Sequence, residues 1–482
     1  MKALGRSVSL AIAFAFLLGA CATRPINPPI ERYVPDNAGV ERSGESDAEK
    51  RILIILAFSG GGTRAAAFSY GVLEALRRTV LVSPEGKTFR LLDQVDAITG
   101  VSGGSFTALA FGLYGDKLFD TFETDFLKRN VQGALVERAL NPFNWGRLSS
   151  TGWGRSELAA DYYDEILFHG ATFADLKKAK GPLIAVSATD ISTGSKVSFT
   201  PQNFNVMCAQ LGPVRLSRAA ASSSAVPVVL SSVTFNNYGG TCGYQPPAWV
   251  SLFLDNPDPP RPAARAIRRL QEIEDLGDSK QRPFLHLVDG GVSDNLGLRG
   301  VLEIVEAFEA LQALGQKTPL DHVRRIVVFI VNSLSSPSTN WDQFEDGPGA
   351  IDTLLKASGV PIDKFSYEAV EQLKDIEARW KVMQFIDQTA TFSKADDPTV
   401  RYIKRAPKAR IYPIDVSFHG LRDEKERAYL NQLPTSFVLS DEQVDRLRRA
   451  AAQIIADSPE FQRALKESGV RVVHGPLETP AR

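Results

Sequence analysis

Apolar and polar positions follow different periods along this chain, and the clearest signal is an unbroken run. Residues 51–58, RILIILAF, are apolar and rich in β-branched side chains, as a strand covered on both faces requires. Ser59-Gly60-Gly61-Gly62-Thr63-Arg64 stops the run, and from Ala65 the spacing of Phe68, Val72, Leu73 and Leu76 predicts an amphipathic helix. The plan recurs with a strand over 95–99, a tight turn over 100–104 and a buried helix over 106–114. Further strands are predicted at 183–188, 196–200, 284–288, 325–332 and 410–416, the first two forming a hairpin through Ser192-Thr193-Gly194-Ser195. Residues 350–392, 441–456 and 460–467 read as helices that pack around the sheet or cover one edge of it. Residues 261–278 read as a solvated helix set off by Pro257, Pro259, Pro260 and Pro283, an insertion rather than core. Repeated strand–glycine loop–helix units predict an α/β fold, a sheet sandwiched by helices with a helical C-terminal extension.

The N-terminal end breaks this pattern. Lys2 and Arg6 precede an apolar run over 8–18, then Gly19-Ala20 and Cys21, the layout of a secretory signal. The run is too short for a spanning helix, which needs roughly 20 apolar residues. Leu18-Gly19-Ala20-Cys21 resembles the bacterial lipobox, whose cysteine is lipidated and becomes the mature N-terminus; a plain signal peptide with an incidental Cys21 is the alternative. From Ala22 to Lys50, Pro25, Pro28, Pro29 and Pro35 lie among polar residues, the composition of an extended tether. With Cys21 set aside, Cys208 and Cys242 remain, either a disulfide in an exported chain or two buried thiols.

Composition narrows the function classes. Of 482 residues, 44% are hydrophobic and 23% charged, enough to bury a large interior. A net charge of -1 provides no general attraction for a polyanion, so nucleic acid is not an expected partner. No metal-binding spacing such as H-E-x-x-H occurs, and no cofactor is expected. Nothing in the sequence sets an oligomeric state.

Three glycine-bearing motifs carry the candidate chemistry. Gly100-Val101-Ser102-Gly103-Gly104 fits the G-x-S-x-G elbow, in which a strained strand-to-helix turn exposes a serine. Gly60-Gly61-Gly62 lies between a buried strand and a helix, where it is a phosphate cradle, an oxyanion hole or a purely steric turn. No Gly-Lys-Ser/Thr follows it, and Ala65 occupies the third glycine position of a dinucleotide loop, which favours the oxyanion hole. Arg64 adds positive charge there or pairs with a carboxylate. Asp289-Gly290-Gly291 closes the predicted strand 284–288, placing an acid at a strand end where such sheets carry their sites.

Taken in order, Phe58-Ser59-Gly60-Gly61-Gly62-Thr63-Arg64, Gly100 to Gly104 and Asp289-Gly290-Gly291 resemble the oxyanion loop, nucleophile elbow and Asp-Gly-Ala/Gly motif of patatin-like phospholipases. Ala221 to Val228, with Ala225-Val226-Pro227, is similar to that family's block before the aspartate, and the likeness spans roughly residues 51–335. The resemblance implies a patatin-like sheet, a serine acyl hydrolase acting on phospholipids or related acyl lipids, a Ser102–Asp289 dyad without histidine, and an oxyanion hole drawn from Gly60, Gly61, Gly62 and Arg64. An unperturbed aspartate has a pKa of about 3.9, so its surroundings must raise it for base catalysis near neutrality.

On this reading the chain divides into a signal peptide (1–20), a flexible tether (21–50), a catalytic domain (51–335) and a mostly helical C-terminal region with one added strand (336–482). The expected location is the bacterial cell envelope, membrane-held by a lipid on Cys21; Ala22 is not an acidic retention signal, which favours the outer membrane. Two alternatives stand beside it. An α/β-hydrolase with a Ser-Asp-His triad would need one of His322, His419 or His474, which follow Asp289, while His286 reads as a packed core residue. A lipoprotein that binds lipid without turnover would keep the motifs as relics.

Overall fold

The computed structural model describes residues 23–35, 52–247, 250, 264–339, 341–392 and 397–477. Cys21 and the signal segment lie outside the described residues.

The main sheet is built from β1 (Ile52–Phe58), β4 (Ala97–Val101), β5 (Leu183–Asp190), β6 (Lys196–Ser198), β7 (Val233–Asn236), β8 (Phe284–Val288), β9 (Arg325–Asn332) and β10 (Arg410–Ser417). Its order is β10-β9-β1-β4-β5-β8-β7, with β6 added on β5. The first five strands of that order are parallel, whereas β8, β7 and β6 run antiparallel to their neighbours. Two short strands, β2 (Val80–Val82) and β3 (Thr88–Arg90), join β11 (Arg471–His474) in a separate three-stranded sheet. The C-terminal region thus contributes β11 as well as the one strand expected of it. β2, β3 and β7, only three or four residues long, have no periodic signature of their own.

The helices that frame the site and its surroundings are α1 (Gly62–Arg78), α2 (Gly103–Tyr114), α3 (Val131–Leu140), α4 (Pro142–Leu148), α5 (Arg155–Tyr163), α6 (Leu216–Ser223) and α7 (Ala350–Thr389). The central strands are hydrophobic on both sides because both sides are covered. Leu56 and Phe58 of β1 pack with Phe68 and Leu73 of α1, Phe106 of α2 and Leu447 from the helix Asp441–Asp457. Ile55 and Ala57 face the other way, against Leu302 and Val305 of the helix Arg299–Ala313 and Leu373 and Trp380 of α7. This gives three layers, helix on sheet on helix.

The β8 strand departs from expectation at His286. Leu285 and Leu287 are buried, but His286 and Phe284 are exposed, because β5 pairs only with Leu287 and Val288 and leaves the outer face of the β7–β8 ribbon uncovered. His286 Nδ1 meets the Thr234 hydroxyl at 3.1 Å.

Part of the segment read as tether is held against the domain. Ile30 N–H donates to the Cys208 carbonyl (2.7 Å) and Tyr33 N–H to that of Cys242 (2.9 Å), while Asn27 exchanges hydrogen bonds with the Asn236 backbone. Its proline-rich, extended backbone suits this strand-like seat. Cys208 and Cys242 form a disulfide with a Cα separation of 5.6 Å, directly beneath it. Replacing both cysteines by serine is expected to cost roughly 2–4 kcal/mol, measured as a lower guanidinium midpoint. The loss should also speed tryptic cleavage at Arg32; an unchanged cleavage rate would show that the bridge does not secure this segment.

Candidate active site

The glycine loop and the serine turn occupy the carboxyl ends of the neighbouring parallel strands β1 and β4, so their helices start side by side. Ser102 ends the turn with φ 48° and ψ −120°, a conformation that L-residues rarely adopt and that the surrounding packing must enforce. Gly103 is needed for a steric reason: a Cβ there would collide with the Gly62 carbonyl, so the start of α2 can approach the start of α1 only without a side chain. Gly100, Gly104 and Gly290 likewise leave no room for a Cβ against neighbouring backbone. At Gly291 the added atom would lie 3.0 Å from the Asp289 carboxylate.

Ser102 Oγ donates to Asp289 Oδ2 at 2.8 Å, and Gly291 N–H donates to Asp289 Oδ1 at 2.8 Å. Both side chains are almost wholly buried. Burial raises the Asp289 pKa to about 6, against the opposing pull of the Gly291 amide and the Ser102 hydroxyl. None of the five histidines, all within the described residues, bonds to either side chain.

The loop amides divide by use. Gly60 N–H donates to the Asn295 carbonyl at 2.9 Å and is spent, which removes Gly60 from the set of expected oxyanion donors. Thr63 N–H is taken by the Ser436 carbonyl (2.8 Å) and Gly104 N–H by that of Ser59 (3.2 Å). Gly61, Gly62 and Gly103 have no acceptor for their amides among the described residues. They stand at or just before the first turns of α1 and α2, where helix geometry leaves amides unpaired and the dipoles are positive.

Arg64 lies against the glycine loop, its Nη2 3.0 Å from where a Cβ on Gly61 would stand. Its guanidinium is buried and donates to the carbonyls of Ser333 (2.7 Å) and Leu433 (2.8 Å) and to the Thr435 hydroxyl (3.0 Å). Among the described residues the side chain pairs directly with no carboxylate; it ties α1 to the segments after β9 and before the helix Asp441–Asp457. Desolvation lowers its pKa to about 10, still far above neutrality.

Several residues that position the pair carry no clear signal in the sequence. Ser223 Oγ accepts from Ser102 N–H (2.8 Å) and donates to the Ser187 carbonyl (2.7 Å), linking the elbow to α6 and β5. The carbonyls of Ala225 and Ser223 accept from the amides of Asp289 (3.0 Å) and Gly290 (2.9 Å). Thr189 Oγ1 donates to the Asp289 carbonyl at 2.9 Å. A buried Arg218–Glu157 pair (2.9 Å) joins α6 to α5 and keeps this clamp in place. The Ser222-Ser223-Ser224 run beside Ala225-Val226-Pro227 was the one hint of Ser223. Asn295, Ser333 and Ser436 gave none, since only the fold brings them to the glycine loop.

On the far side, α7 covers the turn after Asp289: Ser366 accepts from Asn295 Nδ2 at 3.5 Å, and Phe365 and Ile362 line a small cleft with Gly291 and Val292. Among the described residues no cluster of His, Cys, Asp and Glu could hold a metal ion.

Comparison with known proteins identifies a family. The family model described as patatin-like phospholipase matches residues 56–302, just over half the chain. Among solved structures, human GIVD cytosolic phospholipase A2 is similar at 13% identity with a TM-score of 0.38, covering 95% of this chain and 62% of that one. VipD from Legionella pneumophila is similar at 12% identity with a TM-score of 0.29, covering 95% and 74%. This chain spans only about three fifths of the length of the human protein. No curated protein matches it. The matched region holds the glycine loop, the serine elbow and the Asp-Gly-Gly turn, and the chain belongs to the patatin-like phospholipase family.

Proposed function

We propose that this protein is a lipid-anchored serine acyl hydrolase that cleaves ester bonds of phospholipids or related acyl lipids through Ser102 and Asp289. The observation that carries the reading is the 2.8 Å hydrogen bond from the Ser102 hydroxyl to a buried carboxylate, at a strained elbow beside unpaired amides. Asp289 takes the Ser102 proton as Oγ attacks the ester carbonyl. The amides of Gly61, Gly62 and Gly103 stabilise the tetrahedral oxyanion, where one donor is typically worth roughly 2.7–4 kcal/mol. The proton passes to the departing alcohol, leaving an acyl-enzyme on Ser102; Asp289 then deprotonates water, which releases the fatty acid and restores the serine. A carboxylate with a pKa of about 6 suits this task better than an ordinary aspartate. The histidine-triad alternative has no supporting contact. The lipid anchor rests on the lipobox-like Leu18 to Cys21 alone, and the envelope location follows from it.

Fatty-acid release from mixed phospholipids and p-nitrophenyl esters tests the chemistry. Ser102→Ala and Asp289→Ala are each expected to lower kcat by on the order of 10⁴-fold, with His322→Ala unchanged; loss in the histidine variant would restore the triad. Since only ionised Asp289 accepts the proton, kcat/KM for a soluble ester should rise about tenfold per pH step below about 6 and level off above it. A profile flat from pH 5 to pH 8 would remove Asp289 as the base.

The raised pKa also sets a stability sign. Its contribution to stability is full below the unfolded aspartate value and is lost as pH rises through about 6, so at pH 8 the buried charge opposes folding. Asp289→Asn keeps a partner for Gly291 N–H and Ser102 Oγ. It is expected to stabilise the protein by on the order of 2 kcal/mol at pH 8 and by almost nothing at pH 4, read as the change in Tm.

A further inference from the structure

Apolar side chains stand exposed on one face of the molecule, and the described chain begins there. Phe143 is 93% exposed, Leu140 68% and Trp145 46%, all on α3 and α4. Val228 and Val229, 51% and 57% exposed, lie on the loop after α6. Ile26, 64% exposed, lies on the docked N-terminal segment. Large apolar side chains grouped on a surface mark an interaction site.

Named contacts connect the three pieces. The Arg147 guanidinium of α4 stacks on Trp153 (3.9 Å), and the neighbouring Gly152 lies against the Arg24 side chain. Arg24 in turn donates to the Thr234 carbonyl (3.1 Å) and lies over the exposed Phe284 ring. Arg155 donates to the Val228 carbonyl at 3.0 Å. Arginines, Arg147 among them paired with Asp161 at 3.0 Å, are therefore interleaved with the apolar side chains, and Trp and Phe are the side chains that settle at an acyl-chain–water boundary.

Two further observations single this face out. Val228 has φ 74°, an outlier for a β-branched residue, so the loop holds two exposed valines in a conformation that local energetics oppose. Val228 lies three residues after Ala225 on that loop, and the Ala225 carbonyl holds the Asp289 amide. Meanwhile the first described residue, Thr23, is only two positions from Cys21, and Arg24 and Asn27 fix this end of the chain to β7. A lipid on Cys21 would enter a bilayer beside these side chains and not at the end of a long leash.

We propose that this face, formed by Ile26, Leu140, Phe143, Trp145, Val228 and Val229, lies on a phospholipid bilayer and sets the Ser102 site against it. The inference rests on the acyl hydrolase reading for its role, but its contact with lipid can be read separately. In the full chain carrying Cys21→Ser, which removes the anchor, Phe143→Ser with Trp145→Ser should weaken sedimentation with phosphatidylethanolamine–phosphatidylglycerol vesicles by about tenfold or more. Vesicle-lipid hydrolysis should fall in parallel, with p-nitrophenyl butyrate hydrolysis kept within about twofold. Trp145 emission should shift to the blue on adding the same vesicles, a shift missing from Trp145→Phe. Unchanged vesicle binding in the double variant, or no shift that depends on Trp145, overturns the proposal. So does a concentration-dependent dimer that buries these side chains, because the partner would then be a second copy of the chain. Failure of the hydrolase reading looks different: butyrate ester hydrolysis would be missing from the unsubstituted chain while the Trp145 shift persisted.

Discussion

Everything at the site depends on one backbone contact, the start of α2 resting on the start of α1 with Gly103 against the Gly62 carbonyl. Two adjacent parallel strands deliver two helix N-termini to one point, and only glycine lets them meet. That meeting leaves the amides of Gly61, Gly62 and Gly103 beside Ser102 and adds the positive ends of two helix dipoles. The strain at Ser102 belongs to the same contact: the turn is too tight for an ordinary residue, and its amide is held in place by Ser223.

The aspartate is handled by a different device. β8 runs antiparallel to β5, so Asp289 reaches Ser102 from the opposite strand direction and is gripped by carbonyls from the end of α6. Burial raises its proton affinity, and two hydrogen bonds keep the rise moderate. A carboxylate buried without those donors would be protonated at neutral pH and useless as a base; one left in water would be too weak. Under the proposed chemistry, the balance between desolvation and two donors is what allows the pair to work without histidine.

The elements outside the family-matched segment act as buttresses. Arg64 spends its guanidinium on carbonyls and a hydroxyl contributed by segments some 270 and 370 positions away in sequence, and Ser436 accepts from Thr63, so the glycine loop is held by the C-terminal region. At the β7 edge, the disulfide and the N-terminal segment brace the sheet.

Much was legible from local pattern. The run 51–58, the two strand–glycine–helix units and the Asp-Gly-Gly turn are short-range signals, because a strand buried on both faces must be apolar throughout and a tight turn must be glycine. They were enough to expect a sheet between helices and to offer Ser102 and Asp289, 187 residues apart, as candidates; that the two act as a pair was implied only by the resemblance to patatin-like phospholipases. What the tertiary structure decided is where each donor's hydrogen bond goes. Gly60 and Arg64 carry the same motif identity as Gly61 and Gly62, yet Asn295, Ser333, Leu433 and Thr435 consume their N–H groups, and none of those acceptors is near them in sequence. The exposure of His286 and the seating of residues 23–35 were settled in the same way, by which neighbour arrives to cover a face. Periodicity along one segment reports which faces seek burial; the availability of an amide or a surface depends on partners that only the folded chain brings together.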